Sequence, residues 1–142
     1  MRGFTLIEML LSVAIVAALA AMSVPIYQSF QVRDDLDIAT QSLVQNLRRA
    51  SLQAGGGVGD GGWGVKITTS TLVLFLGNSY ATRSTTVDEV ISFPTSLTAT
   101  GTTEYLFARF SGNSLITGTT TMISNANESR SVSVNPYGII NY

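Results

Sequence analysis

Residues 4–26 read FTLIEMLLSVAIVAALAAMSVPI and carry one ionisable side chain, Glu8. About 23 mainly apolar residues, rising roughly 1.5 Å each as helix, suffice to cross a hydrocarbon core about 30 Å thick. A membrane span is the expectation. A secretory signal peptide would have a longer basic start, a shorter apolar region and a small-residue cleavage site at its far end. A helix buried in a soluble core would need covering on all sides, more than a chain of this size usually provides. Arg2 precedes the run while Arg33, Asp34, Asp35 and Asp37 follow it. The positive-inside rule then keeps the N-terminus cytoplasmic and puts the remainder outside the cytoplasmic membrane.

The chain has 142 residues, 12% charged, with neither cysteine nor histidine and a net charge of -1. Absence of cysteine removes disulfides, iron–sulfur clusters and thiol nucleophiles; absence of histidine removes the commonest general base and zinc ligand. The near-neutral balance argues against nucleic-acid binding across a broad basic face. Asp88, Glu89 and Glu104 are carboxylates without an organising motif, so no catalytic, metal or cofactor site is assigned and no enzyme is expected.

Glu8 is the costly residue of the run. A carboxylate in a membrane helix costs about 2.5–3.5 kcal/mol at the bilayer centre and less near the edge. It is relieved by snorkelling or protonation, or by an ion pair with another subunit when such helices bundle, and both readings stand at this point. Pro25 removes a helical hydrogen bond and crowds the preceding turn, so a kink or a melted turn is expected over residues 21–25.

The leader Arg2-Gly3-Phe4-Thr5-Leu6-Ile7-Glu8, followed by an apolar run containing Pro25, resembles the N-terminal signature of type IV pilins and of type II secretion pseudopilins. The resemblance implies cleavage between Gly3 and Phe4 by a prepilin peptidase, methylation of the new Phe4 amine, and extraction of the helix into a filament. It also implies that Glu8 pairs with the Phe4 amine of a neighbouring subunit, and that Pro25 lets the helix bend or stretch.

Beyond Pro25, Tyr27, Phe30, Leu36, Ala39, Leu43, Leu47, Ala50 and Ala54 recur at helical spacing, so they are expected to form one apolar stripe. A Gly-rich segment at 55–62 ends the helix. Its glycines formally fit a dinucleotide fingerprint, but they follow a helix and open a strand, the wrong context for that site. From Trp63 the period changes to two. Strands are expected over 63–67 and 71–76, a hairpin, then over 87–93, 105–110, 115–123 and 129–134. About 88 residues after Ala54 make a small head, so the back half of the stem is expected to complete its core.

The head resembles the GspH/FimT group of minor pilins and pseudopilins through Gly62-Trp63-Gly64-Val65, Phe110-Ser-Gly112 and Ser131-Val-Ser-Val134-Asn-Pro-Tyr-Gly138. Some FimT-like members bind DNA through arginines directly after the glycine matching Gly138, whereas Ile139-Ile140-Asn141-Tyr142 follow it here. Asn127-Glu128-Ser129 fits a glycosylation sequon.

The combined expectation is an α+β protein: a long N-terminal transmembrane-plus-amphipathic helix, then an antiparallel β-sheet or small β-sandwich head. Its organisation is a leader (1–3), a transmembrane and assembly helix (4–26), an amphipathic half-stem (27–54), a Gly-rich loop (55–62) and a β-rich head (63–142). The function expected is that of a structural subunit of a pilus or pseudopilus. Its partners would be itself or other pilins, a prepilin peptidase, an inner-membrane assembly platform and, before assembly, the membrane. It would cross the cytoplasmic membrane once before assembly and stand in an extracellular or periplasmic filament afterwards. The alternative is a FimT-like minor or tip subunit that binds DNA or another extracellular ligand.

Overall fold

The computed structural model describes residues 3–142, apart from the side chains of residues 22–26, 28 and 29. One α-helix, α1 (Leu6–Gly55), occupies 50 residues, about 75 Å of rise. It begins at Thr5, whose extended backbone (φ -81°, ψ 154°) makes it the N-cap. It ends at the first glycines of the Gly-rich segment, with Gly57 in the left-handed region at φ 68°. The helix runs unbroken through Pro25, so the melted turn expected near it is not formed. The Pro25 side chain lies outside the described residues.

Among the described residues, eight strands form two four-stranded sheets, in which all pairings are antiparallel. The first joins β1 (Trp63–Ile67), β2 (Thr71–Leu76), β3 (Ser84–Ser92) and β5 (Glu104–Phe107) in the order β3-β2-β1-β5. The second joins β4 (Leu97–Gly101), β6 (Gly118–Ser124), β7 (Ser129–Val134) and β8 (Ile140–Asn141) in the order β4-β6-β7-β8. β1, β2 and β7 lie where their apolar runs predict. β3 starts three residues earlier than expected, and β5 stops at Phe107 because Gly112 N–H turns back to the Ala108 carbonyl. β4 (LTATG) and the two-residue β8 lack the apolar run that marks a strand.

The back half of α1 is the layer on which both sheets close. Leu36, Ala39, Leu43, Leu47, Ala50 and Ala54 are buried, in one cluster with Val65, Leu72, Leu74, Tyr105 and Phe107 of the first sheet and Leu97, Met122, Val132 and Val134 of the second. Spacings of three and four put those helix positions on one face. The expected stripe is thus correct from Leu36 onward and wrong before it: Tyr27 and Phe30 are exposed, 71% and 59%. Two ion pairs bind α1 to the β6–β7 hairpin near where the stem leaves the head, Arg33 to Glu128 at 2.8 Å and Asp37 to Arg130 at 3.0 Å. Every side chain from Gly3 to Ala21 is exposed.

Candidate processing and assembly site

Gly3, Phe4 and Thr5 precede the helix, so the bond between Gly3 and Phe4 lies in non-helical chain. Phe4 is 81% exposed, and a side chain added at Gly3 would meet nothing. A capping box fixes where the helix starts. Thr5 N–H and Thr5 Oγ1 both donate to Glu8 Oε2 at 2.8 Å, and Glu8 N–H returns a longer bond to Thr5 Oγ1 at 3.4 Å. Each partner thereby satisfies a donor that helix geometry leaves without an intrahelical acceptor. Of the expected site residues, Phe4 and Glu8 thus flank Thr5, which the sequence reading did not single out. The signal was present, because Thr5-Leu6-Ile7-Glu8 is the S/T-x-x-E pattern of a capping box.

The Glu8 carboxylate uses one oxygen in this box. Oε1 has no partner among the described residues, so it can accept a donor from outside the chain. Leu6, Ile7, Leu10 and Leu11 around it are 61–78% exposed. The site is therefore an acceptor oxygen on an uncovered apolar helix, two residues into its first turn.

Six of the seven described cations are ion-paired. Arg33, Arg49, Lys66, Arg83, Arg109 and Arg130 each pair with a carboxylate, at 2.6–3.5 Å, and Arg48 lies over the Tyr142 ring, 5.3 Å from its centroid. The carboxylates without a motif have structural partners too: Asp88 holds Arg83, Glu89 holds Arg49, and Glu104 holds Lys66 and the Tyr80 N–H. Among the described residues no group of acidic side chains is placed to hold a metal ion. Asn127 lies exposed in the β6–β7 turn with φ 61°.

The end of α1 is tied to the C-terminal segment through Gly112 and Gly138. Ser51 Oγ donates to the Gly112 carbonyl at 3.0 Å, and Gly138, at φ 75°, lies so close that a Cβ there would stand 2.5 Å from the same oxygen. These two glycines of the loose head motifs are therefore packing positions.

A long N-terminal helix laid under antiparallel sheets is a pilin-like α+β fold. Residues 1–24 match the prokaryotic N-terminal methylation motif, which supports a type IV pilin-like protein. The motif indicates a pilin or pseudopilin precursor that prepilin peptidase processes, anchored in the membrane first and placed in an extracellular filament with other pilins afterwards. The match ends within α1, so it covers the processing region and leaves the head outside it. No curated protein and no solved structure matches the chain. Among the described residues no helix is long and apolar enough to cross a membrane. The described side chains of the expected span end at Ala21, and those of residues 22–26 lie outside the description.

Proposed function

We propose that this chain is a structural filament subunit, cleaved between Gly3 and Phe4, methylated on the Phe4 amine, and polymerised through α1. The carrying observation is the Thr5–Glu8 capping box inside the methylation motif. It leaves the scissile bond in non-helical chain and keeps one Glu8 oxygen open on an uncovered apolar helix. An amine on Phe4 of a neighbouring copy is the donor this oxygen fits. Pro25 serves as the point at which the stem bends in the filament. The single span over residues 4–26, with its N-terminus in the cytoplasm, is the form held before assembly, and an inner-membrane platform extracts it. The weakly charged head, without a catalytic constellation, fits a role in packing rather than in chemistry.

The head motifs support a minor subunit of the GspH/FimT kind over a bulk one. DNA binding is the less favoured alternative, because a phosphate track needs several cations free on one face and six of the seven described ones are held by carboxylates. Mass spectrometry of the chain in sheared filaments tests the proposal. The expected mass starts at Phe4 and carries one added methyl; a mass that retains residues 1–3 overturns the reading. A gel-shift titration of the head, residues 28–142, is expected to show no salt-dependent DNA binding at micromolar protein.

A further inference from the structure

The face of α1 opposite the head carries a second line of residues that the chain itself does not cover. Tyr27, Asp34, Ile38, Gln41, Gln45, Arg48 and Leu52 follow one another at spacings of seven, four, three, four, three and four, which is the spacing of a seam between two helices. All seven are exposed. Asp34 has no ion pair or hydrogen bond among the described residues, and Arg48 has no carboxylate, only the ring of Tyr142. Two unpaired opposite charges thus stand on one helix face, 14 residues or about 21 Å apart.

We propose that a second copy of this chain docks on this face, parallel and displaced by 14 residues along the helix, so that Asp34 of one copy meets Arg48 of the next. The inference rests on the filament reading, which anchors all copies in one orientation. The same displacement aligns two further pairs on the seam. Ile38 comes opposite Leu52, two exposed aliphatic side chains, 62% and 76% accessible. Tyr27 comes opposite Gln41, at a shallow cleft of about 180 Å³ that Gln41, Val44, Gln45, Arg48 and Tyr142 line. Asp35 comes opposite Arg49, whose bond to Glu89 leaves its side chain half exposed. An in-register pair instead sets Asp34 against Asp34, a displacement of seven sets both charges against Gln41, and one of eleven sets Asp34 against Gln45 and Arg48 against Asp37, which Arg130 already holds. Because the contact joins two different patches, each copy keeps one half free, so the contact propagates into an open array rather than closing as a dimer.

The chain has no cysteine, which makes the geometry directly readable. In the full-length chain expressed in its membrane, the double variant Asp34→Cys/Arg48→Cys is oxidised and run without reductant. Positions 34 and 48 are too far apart on one helix to join within a chain, since a disulfide needs Cα atoms closer than about 7 Å. The expected result is a ladder of dimers and higher multimers, with neither single variant giving one. Absence of a ladder from chain that is present and cleaved at Gly3 overturns the proposal and leaves the filament reading standing; an uncleaved leader overturns the filament reading itself. Cross-linking by Gln41→Cys alone also overturns the proposal, because position 41 meets itself only in an in-register or antiparallel pair. A charge exchange gives an independent readout: Asp34→Arg and Arg48→Asp each reduce sheared filaments, and the two together restore them. Asp34 has no partner within the chain and Arg48 only the exposed Tyr142 ring, so thermal unfolding of the head changes little in all three.

Discussion

Tyr105 on β5 and Thr120 on β6 join the two sheets through their hydroxyls, which lie 2.8 Å apart with no solvent exposure at either residue. Thr120 Oγ1 spends its proton on the Thr102 carbonyl, so Tyr105 is the donor between them. The bond satisfies the one polar atom of the largest fully buried side chain in the core. Tyr105→Phe removes the donor and leaves Thr120 bonded to Thr102, so a loss of about 1 kcal/mol in denaturant unfolding is expected. Thr120→Val leaves the phenol without its acceptor and is expected to cost more. A Tyr105→Phe chain as stable as the parent at neutral pH would remove the proposed role of the bond.

Burial pushes the Tyr105 phenol above its ordinary value, against the smaller opposing effect of its hydroxyl partners. Ionisation is therefore harder in the folded chain than in the unfolded one. The stability linked to this difference is complete below the unfolded value, about 10, and is lost as pH rises through the higher folded value. Unfolding curves taken from pH 8 to 12 should show stability falling above about pH 10, with a shallower fall in Tyr105→Phe. Equal slopes for the two chains would assign the alkaline loss to other groups.

Gly138→Ala tests the junction of the C-terminal segment with the stem. Alanine at φ 75° is strained by about 1–2 kcal/mol, and its Cβ would also press on the Gly112 carbonyl and Ser51 Oγ. A total loss of about 2 kcal/mol or more is expected, against a small effect of Gly56→Ala, where φ is -75°. Thermal melts of the two variants side by side check the ranking.

The legible parts of this fold were those where side-chain type and period agree. Trp63–Ile67, Thr71–Leu76 and Ser129–Val134 carry β-branched and apolar residues between turn signals, and their strands fall there. Leu97–Gly101 is built from small and hydroxyl residues whose strand state comes from pairing with β6, a tertiary cause with no local trace. The stripe on α1 misled because Tyr27 and Phe30 are three apart, yet Phe30 to Leu36 is a step of six, about 240° around a helix of 3.6 residues per turn, which leaves the face that Leu36 opens. Which face the head covers is decided by the sheets. Glu8 was visible as a costly carboxylate, while Thr5 becomes its partner only because the helix starts at Leu6, a boundary that a continuous apolar run does not mark.

The paired bridges Arg33–Glu128 and Asp37–Arg130 hold the stem where it leaves the head, yet all four side chains are part-exposed. Such pairs contribute about 0.2–1 kcal/mol each and weaken with salt. Glu128→Gln and Asp37→Asn are expected to lower stability by amounts in this range, and the differences should shrink in 1 M salt. Hydrogen exchange at residues 30–36 should speed up in the double variant while the core of α1 over 43–54 stays protected.

Thr5 and Glu8 offer a way to separate two roles of one carboxylate. As a capping partner, Glu8 acts within its own chain, and losing either member frays the same first turn. As the acceptor for a neighbouring Phe4 amine, Glu8 acts between chains, and Thr5 is dispensable. Glu8→Ala is expected to leave the subunit in the membrane and impair its assembly. Thr5→Ala, which keeps the Glu8 carboxylate and removes only the cap, is expected to assemble, with Thr5→Ser indistinguishable from the parent because its hydroxyl can still cap. The amount of the chain in sheared filaments, normalised to its amount in membranes, distinguishes the two. If Thr5→Ala reproduces the Glu8→Ala defect, the carboxylate works through the helix start rather than through the next subunit, and the intersubunit pair loses its support.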